Sequence, residues 1–412
     1  MTSAWRLTIA GFVATAVAFG PARMGFGLFL PVFRTEFALS TSMAGLIASG
    51  GFLAFLVALL ATAWLGPRYG PRLPVMAGAV LATTGFAAVA AAAGPGLLAA
   101  GIALAGASAG LCWAPFNDAA ERVLPGQARA GALSVISTGT TAGVLAAAGL
   151  AIAVTEGLIG WRAAWIGFAL GGLALALAVR VGVPSWGRGA RRHGALGAVQ
   201  VDDVAAPPPS LVQRAAAPLY ASAFCFGMTN AVFLSFAADR VVAAGGLPGL
   251  PDAAASTVIF FGYGLCGVLG LATGRIEARY GLAPLSCGIF AAGALSLVLI
   301  ALAPTSWSGV LAASGLHGVA IMMVSALFSF WSLRLFPGRG TLGFTATLLA
   351  MAAGSVLGPA LAGVLAASLG AAAMFVAFSV PPLAASLWFA TRLRHARPRL
   401  PSAVRSARGQ KR

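Results

Sequence analysis

Twelve separate stretches of about 20 mainly apolar residues occupy most of this 412-residue chain. A helix of about 20 residues crosses the roughly 30 Å hydrocarbon core of a bilayer, so each stretch predicts one membrane-spanning helix. Only 8% of the residues are charged, against about 25% in an ordinary soluble domain, which excludes a water-soluble fold. The predicted spans, numbered 1 to 12, cover residues 8–33, 42–65, 73–93, 97–117, 130–155, 162–184, 214–238, 253–273, 283–303, 308–334, 342–367 and 371–391.

The basic residues predict how these spans are oriented. Cytoplasmic loops of membrane proteins carry an excess of Lys and Arg. With the N terminus in the cytoplasm, 22 of the 26 basic residues fall on that side, and the outer loops receive only Arg34, Arg162 and Arg240. The sequence therefore predicts a multi-pass protein of the cell (inner) membrane with both termini in the cytoplasm. Topology accounts for the net charge of +17, so no nucleic-acid partner is expected.

One long hydrophilic segment, residues 185–213, divides the spans six and six, and its Pro207-Pro208-Pro209 run is typical of a linker. The two halves also repeat each other. Arg122-Val-Leu-Pro-Gly follows span 4 as Arg334-Leu-Phe-Pro-Gly follows span 10, and Arg68-Tyr-Gly follows span 2 as Arg279-Tyr-Gly follows span 8. We predict a six-helix bundle over 1–184, a cytoplasmic linker over 185–213, a second bundle over 214–391, and a basic tail over 392–412 that lies on anionic lipid headgroups.

The loop between spans 2 and 3 resembles a signature of the major facilitator superfamily, G-x-x-x-D-R-x-G-R-R. This chain keeps Arg68, Gly70 and Arg72, whereas Ala63 and Pro67 replace the first Gly and the Asp. A second degenerate copy lies between spans 8 and 9. The resemblance implies an all-α integral membrane fold with twelve transmembrane helices in two pseudo-symmetric six-helix bundles, which rock around a central site to expose it to each side in turn.

Arg23 is the one charged residue that the pattern places in a span core, and no Asp or Glu lies in any span core. An arginine in the middle of a bilayer costs about 2.5–3.5 kcal/mol on insertion scales, so something polar must face it. We interpret Arg23 as a cationic anchor for an anionic substrate. The alternative is a structural pair with backbone carbonyls or another polar side chain.

Three further polar residues are predicted to join Arg23 at the substrate site. Thr229 and Asn230 in span 7 lie at a comparable depth in the second half. His317 in span 10 is the only histidine within a span. It has two interpretations: a group that binds substrate or takes a proton near neutral pH, or a hydrogen-bonded packing residue.

Charged residues at the cytoplasmic ends of the spans predict a gate. Asp118 and Glu121 are expected to pair with Arg68 or Arg72 when the cytoplasmic side closes. The full predicted gating set is Arg68, Arg72, Asp118, Glu121, Arg122, Arg279 and Arg334. Separately, small residues at a spacing of four predict close helix packing in spans 5 and 11; the residues concerned are Gly139, Gly143, Gly354, Gly358 and Pro359.

The sequence thus predicts a secondary transporter, expected to be monomeric, for a small anionic organic solute. An alternative is efflux of amphiphilic or drug-like compounds, and from another class a membrane enzyme or sensor.

The G-x-S-x-G run around Ser108 lies inside an apolar span, where small residues serve helix packing rather than nucleophilic catalysis. No cofactor or metal is expected, since the four cysteines lie in apolar runs without metal-ligand spacing. Uniport, anion exchange and proton symport are all compatible with the sequence.

Overall fold

The computed structural model describes residues 3–112, 115–116, 119, 126–183, 210–251, 254–336 and 340–396. These residues form twelve helical segments long and apolar enough to cross a membrane, and no strand occurs among them. The twelve predicted spans are confirmed, and their numbers are kept. Their helices are, in order, Ser3–Phe19 with Pro21–Phe37 in span 1, Thr41–Tyr69, Arg72–Ala90, Pro95–Cys112, Gly126–Thr155, Trp161–Gly182, Ala217–Ala243, Ala254–Gly267 with Thr273–Tyr280 in span 8, Leu282–Leu302, Trp307–Leu335, Gly340–Leu369 and Ala371–Ala396.

Spans 1 and 8 are interrupted near their middles. In span 1 the helix ends at Phe19 and a new one begins at Pro21, because proline has no N–H to continue the hydrogen-bond ladder. In span 8 a short 3-10 segment, Val268–Ala272, separates two α-helices. Interrupted helices at this depth commonly line the substrate site of a transporter.

Within each half, glycines bring two spans into backbone contact, and the pairs of spans are equivalent in the two halves. A methyl group added at Gly143 would lie 2.0 Å from the carbonyl oxygen of Ala16, so span 5 packs directly on span 1. In the second half, a methyl group at Gly354 would lie 2.0 Å from the carbonyl oxygen of Phe224, so span 11 packs in the same way on span 7. Gly139 and Gly358 make similar approaches one turn away. The chain therefore forms two pseudo-symmetric six-helix bundles.

An aromatic cluster holds the second helix of span 1 within the first bundle. Trp165 of span 6 is fully buried. Its ring centroid lies 5.8 Å from those of Phe29 and Phe33 in span 1 and from that of Phe86 in span 3. Edge-to-face and tilted ring pairs at this distance are favourable. The cluster fixes the position of the Pro21–Phe37 helix.

The two bundles meet at the end of the molecule that carries the loops after spans 1, 7 and 11, called here the outer end. Arg34 of span 1 forms an ion pair with Asp239 of span 7, with Nη1 and Oδ2 2.6 Å apart. The Ala360 N–H of span 11 donates to the Ser49 hydroxyl of span 2 at 2.9 Å. These contacts join opposite bundles, so the outer end is closed.

Candidate functional site

A cavity of about 530 Å³ lies between the bundles, lined by four spans from each. Many of its residues, including Leu59, Leu133 and Leu271, lie in the half of their span nearer the linker and the termini. We call this end of the molecule the inner end. The cavity therefore runs from the middle of the bundles toward the inner end, away from the closed outer end.

Arg23 lies at the deep end of this cavity. Its guanidinium carbon lies 4.6 Å from the ring centroid of Phe55, 5.7 Å from that of Phe52 and 5.8 Å from that of Phe19. A cation is attracted to aromatic faces at these distances. Within the described part of the chain, no Asp or Glu pairs with Arg23 and no group accepts a hydrogen bond from it. Its N–H donors are therefore free to meet a molecule in the cavity.

A second, smaller recess touches Arg23 from the outer side. Its volume is about 30 Å³, and its lining includes Gly27, Ala48 and Ser235. Arg23 is shared by both linings. The guanidinium thus stands between the main cavity and the closed outer contact.

Of the other predicted substrate-binding residues, Asn230 lines the cavity. Its side-chain oxygen is buried without a described hydrogen-bond partner. Thr229, one position earlier, is buried against its own helix and donates to the carbonyl of Cys225 at 3.0 Å. Adjacent positions on a helix point about 100° apart, which explains why only one of the two reaches the cavity.

His317 lies behind the cavity lining within the second bundle. Its ring stacks on Phe233 with centroids 4.0 Å apart, and its Nδ1 lies 3.2 Å from the Ser296 hydroxyl. Its Nε2 is buried with no partner among the described residues. Tyr263, whose ring centroid lies 6.2 Å away, is the neighbour that lines the cavity. Any effect of His317 on a bound molecule would pass through this neighbour.

The structure adds residues that the sequence reasoning missed. Tyr263 belongs to the apolar Gly-Tyr-Gly-Leu-Cys-Gly run of span 8, and it lines the cavity together with Arg23. A phenol in the middle of an apolar span was the available signal, because a buried tyrosine hydroxyl needs a polar partner. A row of hydroxyl side chains on span 5 also lines the cavity, namely Ser137, Thr138, Thr140 and Thr141.

The predicted gating residues of the first bundle have local partners where they are described. Arg68 stacks over Trp64 at 4.2 Å and donates to that residue's carbonyl at 2.9 Å. Arg72 donates to the carbonyl of Arg180 in the same bundle at 3.2 Å. Three members of the set lie outside the described residues: Asp118, Glu121 and Arg122.

In the second bundle, the equivalent charges also bind within their own half. Arg334 at the end of span 10 forms an ion pair with Glu277 of span 8. Arg279 stacks over the neighbouring Tyr280, with its guanidinium carbon 5.3 Å from the ring centroid. A contact inside one bundle keeps its geometry when the two bundles move as rigid bodies.

Twelve spans in two pseudo-symmetric bundles around a central cavity define the chain as a membrane transporter. The sequence model of the Major Facilitator Superfamily matches residues 8–342, and the chain belongs to this superfamily. No curated protein matches the chain at a significant level.

Several solved transporters share the fold. The nucleoside transporter NupG is similar with a TM-score of 0.75 and 12% identity over 95% of this chain and 99% of its own. A peptide transporter POT in complex with sulfate has a TM-score of 0.74 and 13% identity over 95% and 94% of the two chains. A bacterial homologue of the human lysosomal transporter Spinster has a TM-score of 0.70 and 15% identity over 94% of this chain and 96% of its own.

Proposed function

We propose that this protein is a secondary transporter that moves a small organic anion across the cell membrane by alternating access, with Arg23 as the anchor of the anion. The observation that carries the proposal is a guanidinium in a transporter's central cavity with no described carboxylate to neutralise it. A buried unpaired charge is costly, so an anionic solute supplies the missing partner.

The surroundings of Arg23 support binding of an oxyanion. Guanidinium offers a planar fork of donors that matches two oxygens of a carboxylate or sulfonate. The rings of Phe19, Phe52 and Phe55 stabilise the cation without accepting its hydrogen bonds. Asn230 and Tyr263 line the same cavity and carry side-chain donors for a second contact.

The closed outer end and the cavity toward the inner end support alternating access. With the basic loops in the cytoplasm, the Arg34–Asp239 ion pair would seal the side facing away from the cytoplasm. The cavity would then open to the cytoplasm. The transport cycle would require this outer contact to break while the inner ends of the spans approach each other.

Efflux of amphiphilic or drug-like compounds is the second candidate, because much of the cavity wall consists of residues such as Met24, Leu234 and Ile321. That function would leave Arg23 as a structural residue with an internal partner. The described part of the chain provides no hydrogen-bond or ion-pair partner. An anionic solute therefore explains the site better than a neutral or cationic one.

The test is uptake of radiolabelled organic anions and amphiphilic cations into proteoliposomes. Arg23→Ala is expected to abolish saturable anion uptake, and Arg23→Lys to retain a fraction of it. Arg162→Ala is the matched control, because it also removes one arginine from the first bundle but pairs with the exposed Glu36 outside the cavity. Anion uptake that survives in Arg23→Ala, or uptake of cations only, would overturn the proposal.

A further inference from the structure

The central cavity has one charged group and a largely apolar wall, and this combination restricts the solute further. We infer that the transported anion carries a single negative charge on an apolar body. The inference rests on the proposed function, since it specifies which anions the Arg23 site accepts.

The charges in the cavity wall limit the number of charges on the solute. Arg23 is the only charged residue among the described residues that line the cavity. A second carboxylate or sulfonate on the solute would enter a cavity with no second cation, and an ammonium group would find no carboxylate. A charge that exchanges water for an apolar wall without meeting an opposite charge is costly. The lining therefore discriminates against dianions and zwitterions of the same size.

The apolar part of the cavity wall matches an apolar body on the solute. Between Arg23 and the inner end, the wall includes Leu59, Ile321, Met322, Leu348 and Met351. Burial of apolar surface stabilises the bound solute in proportion to the area removed from water. Methionine side chains adapt to solutes of different shapes. The cavity volume of about 530 Å³ is within the range of ordinary small-molecule sites.

The position of Arg23 sets the orientation of the solute in the cavity. Arg23 lies at the deep end, where the small recess on its far side measures only about 30 Å³. The anionic group therefore binds deep in the cavity, and the apolar body extends toward the inner end. The hydroxyl groups of Ser137 and Thr138 already donate to carbonyls of their own helix, so these two side chains offer no free hydroxyl donor to a second anionic group.

The experiment uses sulfonates, which stay ionised and do not cross the lipid as neutral acids. Hexane-1-sulfonate, hexane-1,6-disulfonate and 6-aminohexane-1-sulfonate share one chain and differ only in the second charge. Binding to the purified full-length protein is measured by calorimetry and exchange by counterflow in proteoliposomes. We expect hexane-1-sulfonate to bind at least about tenfold more tightly than the other two, and each methylene from butane- to hexane-1-sulfonate to add about fourfold in affinity.

A variant supplies an independent readout. Leu348→Glu places a carboxylate in the wall and is expected to shift preference toward 6-aminohexane-1-sulfonate, whereas Leu348→Gln, of the same shape, is not. If the disulfonate or the zwitterion binds as tightly as hexane-1-sulfonate in an Arg23-dependent manner, this inference is overturned and the proposed function stands. The same holds if the affinity of the monosulfonates does not change with chain length. If no sulfonate binds in an Arg23-dependent manner, the proposed function fails with it.

Discussion

The ion pair between Arg34 and Asp239 is expected to hold the outer end closed. The side chains are 31% and 12% exposed, and their charged atoms lie 2.6 Å apart. Fully exposed pairs contribute at most about 1 kcal/mol, whereas a hydrogen bond to a charged group contributes about 1.5–3 kcal/mol. For this half-buried pair we expect about 2 kcal/mol, which corresponds to about a 30-fold change in the ratio of closed to open molecules.

Ser235 gives a reporter for this equilibrium because it lines the recess beneath the outer contact and is buried. In a cysteine-free background, Ser235→Cys is labelled with a membrane-impermeant thiol reagent added from the outside. Asp239→Asn should raise the labelling rate about 30-fold. Reversing both charges, Arg34→Asp with Asp239→Arg, should return the rate toward that of the parent.

The matched control is Glu36→Gln, which breaks an exposed ion pair with Arg162 inside the first bundle. It removes one carboxylate near the outer end without separating the bundles. Equal labelling rates in Asp239→Asn and Glu36→Gln would show that the ion pair does not hold the bundles together. A double-mutant cycle over Arg34 and Asp239 with zero coupling would lead to the same conclusion.

Three other changes test neighbouring parts of the structure. Gly27→Ala places a methyl group 1.7 Å from the carbonyl oxygen of Leu234, so it should raise outer labelling and slow transport; unchanged labelling would contradict the close approach. His317→Gln should lower the melting temperature but change the KM for the anion less than about threefold, because the imidazole lies behind the lining, and a larger KM change would place it in the site. Arg334→Gln should leave labelling unchanged, because its ion pair with Glu277 lies within one bundle; a shift would assign that pair to the gate.

The number of spans and the place of Arg23 in the central cavity were predictable because each depends on one strong physical constraint. A bilayer fixes the length of an apolar helix, and a charge inside it requires a function or a partner. The remaining site residues depend on how each helix is rotated about its axis. Spans that are apolar on every side carry little periodicity to reveal that rotation, so Thr229 could not be separated from Asn230, and Tyr263 resembled a packing residue.

The ion pair at the outer end could not be predicted from the sequence, for a different reason. The charge count places Arg34 in an outer loop, and Asp239 lies just beyond the predicted end of span 7. Each helix continues farther than its apolar stretch, to Phe37 and Ala243, and the two charges meet on these extensions. The pairing depends on contact between bundles that are distant in sequence, and no local pattern encodes such a contact.

The same two helices carry both the proposed anion site and the outer ion pair. Arg23 and Arg34 lie on the single helix Pro21–Phe37, about 16 Å apart along its axis, and Asn230 and Asp239 both lie on Ala217–Ala243. An anion held between Arg23 and Asn230 would draw these helices together at the depth of the site. Arg34 and Asp239 lie farther along the same two helices, so the approach would also bring the outer charges together. We therefore expect a bound anion to favour closure of the outer end, which links occupancy of the site to the direction in which it opens.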